Sequence, residues 1–144
     1  MATVIIQART GSVRYPNKVL KLINGITVLE FLIRRLSSSQ EVEEIIVATT
    51  ENKNDEELSK ICKNLSIKVF KGSENDVLSR YYFASKMTNS EILVRITGDC
   101  PFIDPEIVSN AIVLFKKKKV DYLSNATEPT YPDGLDVEVF NKKT

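Results

Sequence analysis

Short apolar runs rich in β-branched residues recur along this chain, and each is followed by a stretch with helical periodicity. The runs are "TVIIQA" (3–8), "EIIVAT" (44–49), "IKVF" (67–70), "EILVRIT" (91–97) and "VDYLSN" (120–125). Unbroken hydrophobicity, rather than strict alternation, is the pattern of strands buried on both faces of a sheet. Between them lie helix signals. Thr27-Val28-Leu29-Glu30 reads as a capping box ahead of an apolar stripe at Leu29, Leu32, Ile33 and Leu36. Asn54 precedes "DEELSKICKNL", Ser73 precedes "ENDVLSRYYFASKM", and Asp104 caps a helix that has Pro105 at its first position. A last strand is expected at "LDVEVF" (135–140). Repeated strand–helix units imply an α/β three-layer sandwich, with a mostly parallel sheet and helices on both faces.

In such sheets ligands bind beyond the carboxyl ends of the strands. The loops after Ala8, Thr49, Phe70, Thr97 and Asn125 are therefore expected on one edge, and Gly, Asp, Arg and Lys concentrate in them. The first, "RTGSVRYPNK", matches neither the G-x-x-x-x-G-K-[ST] phosphate loop nor the G-x-G-x-x-G dinucleotide fingerprint. Its chemistry still suits a polyphosphate. Gly11 allows close backbone approach, Ser12 can donate a hydrogen bond, and Arg9, Arg14 and Lys18 can neutralise several negative charges. An ordinary solvated loop with surface ion pairs would have the same composition.

The loop "TGDCPFIDP" (97–105) delivers Asp99 to the same edge, where an acid opposite cations suits a divalent ion bridging to phosphates. A turn residue bonding its own backbone is the alternative reading of Asp99. Cys100 reads as a packing residue, with no base beside it in sequence to activate it. In "SNATEPTYPDGLDVEVF" (124–140), two prolines and Asp133-Gly134 mark a turn-rich loop. Asp136 and Glu138 then alternate with apolar residues, and on one strand face Asp136 would serve as a second metal or sugar contact. Arg80 would project from its helix, to the surface or toward a bound base or phosphate. Tyr81, Tyr82 and Phe83 read as core and sheet-packing residues.

The chain contains no histidine, which removes Ser-His-Asp, Cys-His and His-ligated metal chemistry from its 144 residues. A metal would need oxygen ligands, which favours Mg²⁺ or Mn²⁺. With 20 basic against 19 acidic residues there is no basic excess for general nucleic-acid binding. No run approaches the roughly 18 apolar residues of a membrane span. Two distant cysteines and the lack of a secretory leader fit a reduced, cytoplasmic protein.

Four segments together, "IIQARTGSVRYPNKVL", "GSENDVLSRYY", "VRITGDCPFIDP" and "TYPDGLDVEVF", resemble the cytidylyltransferase-type proteins of the spore coat polysaccharide biosynthesis F group. These are relatives of the CMP-sialic acid and CMP-Kdo synthetases. The resemblance runs in order from residue 4 to about residue 140. It implies a nucleotide-diphospho-sugar transferase-like fold and Mg²⁺-dependent transfer from CTP to a small sugar, giving a CMP-sugar and pyrophosphate.

The first motif matches the relatives' R-x-x-S-x-R-x-P-x-K pattern at Arg9, Ser12, Arg14, Pro16 and Lys18, the loop that holds the triphosphate there. The aspartate of their G-D-x-P motif, the metal ligand, is matched by Asp99. On this reading Arg9, Arg14, Lys18 and Asp99 are the catalytic set. Nucleotide contacts are expected from Ala8, Arg9, Gly11, Ser12, Arg14, Lys18, Thr49, Thr50 and Arg80. Sugar contacts are expected from Asn125, Asp133 and Asp136, and metal contacts from Asp99 and Asp136. The relatives continue into a dimer-forming extension, so the resemblance implies that residues 1–144 are a single nucleotidyltransferase-like domain, cut short at its C-terminus, of a longer protein that forms a homodimer. Two other readings stay open. One is a glycosyltransferase of related fold, against which the absence of a D-x-D motif in "GDCPFID" counts. The other is a non-catalytic nucleotide-binding module.

Overall fold

A computed structural model describes residues 1–128 and 130–144; Pro129, one of the two prolines of the 124–140 loop, lies outside them. The elements follow in order: β1 Ala2–Gln7, β2 Leu22–Ile23, β3 Ile26–Thr27, α1 Val28–Leu36, β4 Val42–Thr50, α2 Glu56–Asn64, β5 Lys68–Gly72, α3 Val77–Ser85, β6 Ile92–Thr97, α4 Pro105–Lys118, β7 Tyr122–Ser124 and β8 Glu138–Asn141. Six strands form one sheet in the order β5-β4-β1-β6-β8-β7, and β2 with β3 makes a separate small hairpin that the apolar pattern does not predict. β1 pairs in parallel with β4 and β6, and β4 with β5; only β8 runs against its neighbours. The strands β1, β4, β5, β6 and β7 therefore all end at one edge.

The two sheet faces are covered unequally. One buries Val4, Ile6, Val47, Val94 and Ile96 against α1, α2 and α4, which contribute Leu29, Leu32, Leu58, Cys62, Val108, Ile112 and Phe115. The other packs Ile5, Ile46, Ala48 and Leu93 against α3 alone, through Tyr81 and Ala84. The central runs are apolar on both sides because both faces are roofed, as expected of a parallel sheet. Tyr82 and Phe83, by contrast, are exposed rather than core. α3 lies on the sheet by one face only, and consecutive helical residues cannot all point inward.

Of four helix starts, two match their sequence signals and two do not. The Thr27 hydroxyl accepts from the Glu30 amide, and the Asp104 carboxylate from the Glu106 amide, as their spacing predicts. The second helix begins at Glu56 rather than after Asn54, because Lys53–Asp55 forms a 3-10 turn and the Asp55 side chain is engaged elsewhere. α3 is capped by Asp76, which accepts from the Ser79 amide; Ser73 instead accepts from the Asp76 amide one turn earlier. Among the described residues no helix is long and apolar enough to cross a membrane. Both cysteines are free.

Candidate active site

The loop that follows β1 is anchored at one point and open elsewhere. Thr10 is buried, and its carbonyl accepts from the amides of Ser12 and Asn17, closing the loop on itself. Its own amide and hydroxyl both donate to Oδ1 of Asp55, at 2.7 and 2.6 Å. The Thr50 hydroxyl donates to the other carboxylate oxygen. Burial alone would raise the Asp55 pKa, but the hydrogen bonds from Thr10 and Thr50 outweigh it and hold the carboxyl below its usual range. A second tether lies alongside. Glu74 accepts from Arg9 Nη1 at 3.0 Å and from Asn52 at 2.6 Å, and a Cβ on Gly11 would lie 3.0 Å from its Oε1.

Asp99 arrives from β6 by a close approach of two strand ends. The Gly98 amide donates to the Gln7 carbonyl at 2.8 Å, and a Cβ at this position would lie 2.8 Å from that oxygen and 2.9 Å from Ala8 Cβ. Glycine is required here by space. Gly98→Ala is expected to push β1 and β6 apart where Arg9 and Asp99 begin, costing about 1–3 kcal/mol. Thermal unfolding together with CTP titration checks this, both being expected to weaken.

These elements enclose a cleft of about 420 Å³ lined by Gln7, Ala8, Arg9, Ser12, Val13, Arg14, Lys18, Val19, Arg95, Thr97, Gly98 and Asp99. Lys18 Nζ donates to Asp99 Oδ2 across it. Partial burial would raise the Asp99 pKa, but Lys18, by hydrogen bond and charge, and Thr97 hold it below the ordinary carboxylate value. A second cleft of about 430 Å³ opens on the other side of Asp99, lined by Cys100, Phe102, Asp104, Asp133 and Leu135 among others. Asp99 is the residue common to both. Burial and the charges of Asp99 and Asp136 push the Cys100 thiol up, against the hydrogen bond from Thr97 and the charge of Lys18.

The expected site residues thus divide. Ala8, Arg9, Ser12, Arg14, Lys18 and Asp99 line the first cleft, and Asp133 the second. Gly11 is placed against Glu74. Thr49 and Thr50 are buried at the end of β4, with Thr50 committed to Asp55. Arg80 is fully buried behind the cleft. One of its nitrogens donates to the carbonyls of Ser73 and Glu74, and its Nε and Nη2 find no partner among the described residues. Burial and the charge of Arg9 lower its pKa, against the pull of Tyr81, Asp55 and Glu74. Asn125 clamps its loop: its side chain donates to the Leu135 carbonyl and accepts from the Val137 amide, both at 2.8 Å. Asp136 is exposed, lines neither cleft and lies two residues before β8, which begins at Glu138; the buried Val137 and Val139 alternate with it and Glu138. Asp55, Glu74 and Arg95 are the site-forming residues that sequence reasoning missed. For Asp55 the available signal was a threonine pair ending a strand with an aspartate five residues on.

No group of three or more His, Cys, Asp or Glu side chains able to hold a metal exists among the described residues. One ionised carboxylate in a cationic cleft nevertheless suits Mg²⁺, which is commonly held by one or two carboxylates together with water and substrate phosphates.

A cationic loop faces the Asp99 carboxylate at the carboxyl edge of a mostly parallel sheet, where α/β proteins of this class bind their ligands. The chain belongs to the cytidylyltransferase family, whose sequence profile matches residues 3–143. It is similar to the spore coat polysaccharide biosynthesis protein SpsF of Bacillus subtilis, at 34% identity over 141 residues, covering 95% of this chain and 58% of that protein. A solved cytidylyltransferase from Leptospira borgpetersenii superposes with a TM-score of 0.94 at 38% identity, covering 99% of this chain and 60% of that one. A CMP:2-keto-3-deoxy-manno-octonic acid synthetase complexed with CTP superposes with a TM-score of 0.78 at 16% identity, covering 99% and 74%, and so shares the nucleotide-diphospho-sugar transferase-like fold. The chain spans a little over half the length of the curated relatives it matches, 55% and 58%.

Proposed function

We propose that this chain forms the nucleotide-binding part of a Mg²⁺- or Mn²⁺-dependent cytidylyltransferase. It activates a sugar with CTP, giving a CMP-sugar and pyrophosphate, for a surface or spore-coat polysaccharide. The reading is carried by one observation: Asp99 stands between a cleft lined by Arg9, Ser12, Arg14 and Lys18 and a second cleft containing Asp133. A triphosphate in the first and a sugar in the second would meet at Asp99.

The chemistry follows from charge. A sugar hydroxyl, losing its proton to solvent water, attacks the α-phosphorus of CTP; the new P–O bond forms as the bond to the α,β-bridging oxygen breaks and pyrophosphate leaves with that oxygen. Arg9, Arg14 and Lys18 stabilise the charge that gathers on the leaving phosphates. Asp99, with Asp136 as a further ligand, would hold the cation, which supplies charge neutralisation at the phosphates. Positioning and electrostatics dominate such transfers, so a chain without histidine is adequate to the task.

A nucleotide panel with Mg²⁺ tests this. CTP is expected to raise the melting temperature more than ATP, GTP or UTP, since ligands of the folded state stabilise it by mass action. The full-length protein is expected to release pyrophosphate from CTP when given pooled acidic sugars. Release of a nucleoside diphosphate from a nucleotide sugar would replace this reading with glycosyl transfer. A CTP shift without turnover would replace it with a binding module.

A further inference from the structure

Arg95 belongs to none of the loops at the strand ends, yet it lines the phosphate cleft. It lies on β6 two residues before Thr97, so the two share a sheet face with Gln7, the register partner of Thr97. Arg9, Arg14 and Lys18 enter the cleft from its rim; Arg95 enters from the sheet. Its guanidinium is fixed on two sides. Nη1 donates to Oε1 of Glu138, its cross-strand partner on β8, and the guanidinium carbon lies 5.8 Å from the centre of the Tyr81 ring. An arginine carries five donors in a planar fork, so one bond to Glu138 leaves most of it for another acceptor. The side chain is 35% exposed and lines both the cleft and an adjoining groove between α3 and β8, which Tyr81 and Glu138 also line.

Four cations and one carboxylate, Asp99, line the cleft; Glu74 and Glu138 pair with Arg9 and Arg95 from outside its lining, so the cavity wall keeps an excess of positive charge that suits an anion. A surface ion pair with Glu138 would gain little by being placed there, since partly exposed pairs contribute about 0–1 kcal/mol. We infer that Arg95 is a fourth phosphate-binding cation, contacting the nucleotide from the sheet side, and that Glu138, which lines the adjoining groove, is the positioning residue that fixes its guanidinium at the cleft wall. The identity of the anion rests on the cytidylyltransferase reading.

The test is calorimetric titration of the chain with pyrophosphate and with CTP–Mg²⁺. Arg95→Met is expected to weaken both about tenfold, the effect of losing one charge-assisted hydrogen bond. Arg95→Lys keeps the charge but loses the fork, and is expected to lie between; it also serves if the methionine variant does not fold. Glu138→Gln still offers Arg95 an acceptor oxygen and is expected to stay within about threefold of the parent, whereas Glu138→Ala is expected to approach Arg95→Met. Melting curves without ligand report the purely structural share. Lower melting with unchanged pyrophosphate and CTP affinity in both Arg95 variants overturns the inference, and unchanged affinity in Glu138→Ala overturns the positioning role. Arg14→Met is the reference. If it weakens binding while the Arg95 variants do not, the cleft assignment stands and this inference alone falls. If the unsubstituted chain binds neither ligand, both fall.

Discussion

An Asp99→Ala substitution in the full-length protein is expected to lower pyrophosphate release from CTP by about 10³-fold or more, the scale of removing a principal electrostatic group from a transfer site. Asp99 is the carboxylate shared by the two clefts, and its low pKa keeps it ionised throughout the neutral range. The fold is expected to survive the change. The Lys18–Asp99 pair is partly exposed, so it is worth about 0–1 kcal/mol at most. A small change in melting temperature with near-complete loss of turnover is therefore the predicted signature. Asp99→Asn keeps an oxygen acceptor for Lys18 but removes the charge a cation needs, and should be as inactive as the alanine variant. Turnover unchanged in either variant would remove Asp99 from the mechanism. Arg14→Ala should show the same split, because its side chain is exposed at the cleft and supports no part of the core.

What the sequence disclosed and what it concealed divide along a physical line. The strands β1, β4 and β6 were legible because they are buried on both faces, which leaves a continuous apolar signature, whereas their order in the sheet was not. The caps at Thr27 and Asp104 were legible because their partners lie two or three residues away. The loop cations and Asp99 were legible because parallel topology sends every such loop to one edge. Long-range polar contacts left no comparable trace. Asp55 reaches Thr10 across 45 positions, Glu74 reaches Arg9 across 65, and Arg95 meets Glu138 across 43. Each is a single pair with no periodicity to announce it. Asn54 and Ser73 mislead for a related reason. Both are competent N-caps in isolation, but the chain uses Asp76 for one helix and leaves the other without a side-chain cap so that Asp55 can serve the loop. Asn125 reads as a polar residue at a ligand-binding edge, and in the structure its amide satisfies the backbone of its own loop.

Asp55 carries the second large prediction, and it concerns stability and binding together. Its carboxylate is almost fully buried and accepts three hydrogen bonds, from the Thr10 amide, the Thr10 hydroxyl and the Thr50 hydroxyl. Asp55→Ala strands those donors in a site closed to water, and the expected cost is roughly 3 kcal/mol. At a few degrees per kcal/mol for a chain of this size, the melting temperature should fall by about 10 °C. The same change frees Thr10, the one buried anchor of the loop carrying Arg9, Ser12, Arg14 and Lys18. CTP affinity should then drop about tenfold even where the protein remains folded, because the loop must be ordered at the expense of binding. Asp55→Asn should be milder, since its remaining oxygen still accepts from Thr10 and the Thr50 hydroxyl can turn to accept from the new amide. Acid should mimic the substitution. The folded pKa of Asp55 lies below its unfolded value, about 3.9. Its stabilising contribution is therefore fully present above that pH and is lost as the pH falls through the folded pKa. The gap in melting temperature between the parent and Asp55→Asn should be full and constant above about pH 3.9 and should close as the pH falls below it toward the folded pKa; a gap that stays constant on acidification would show that the carboxylate charge does not hold the loop.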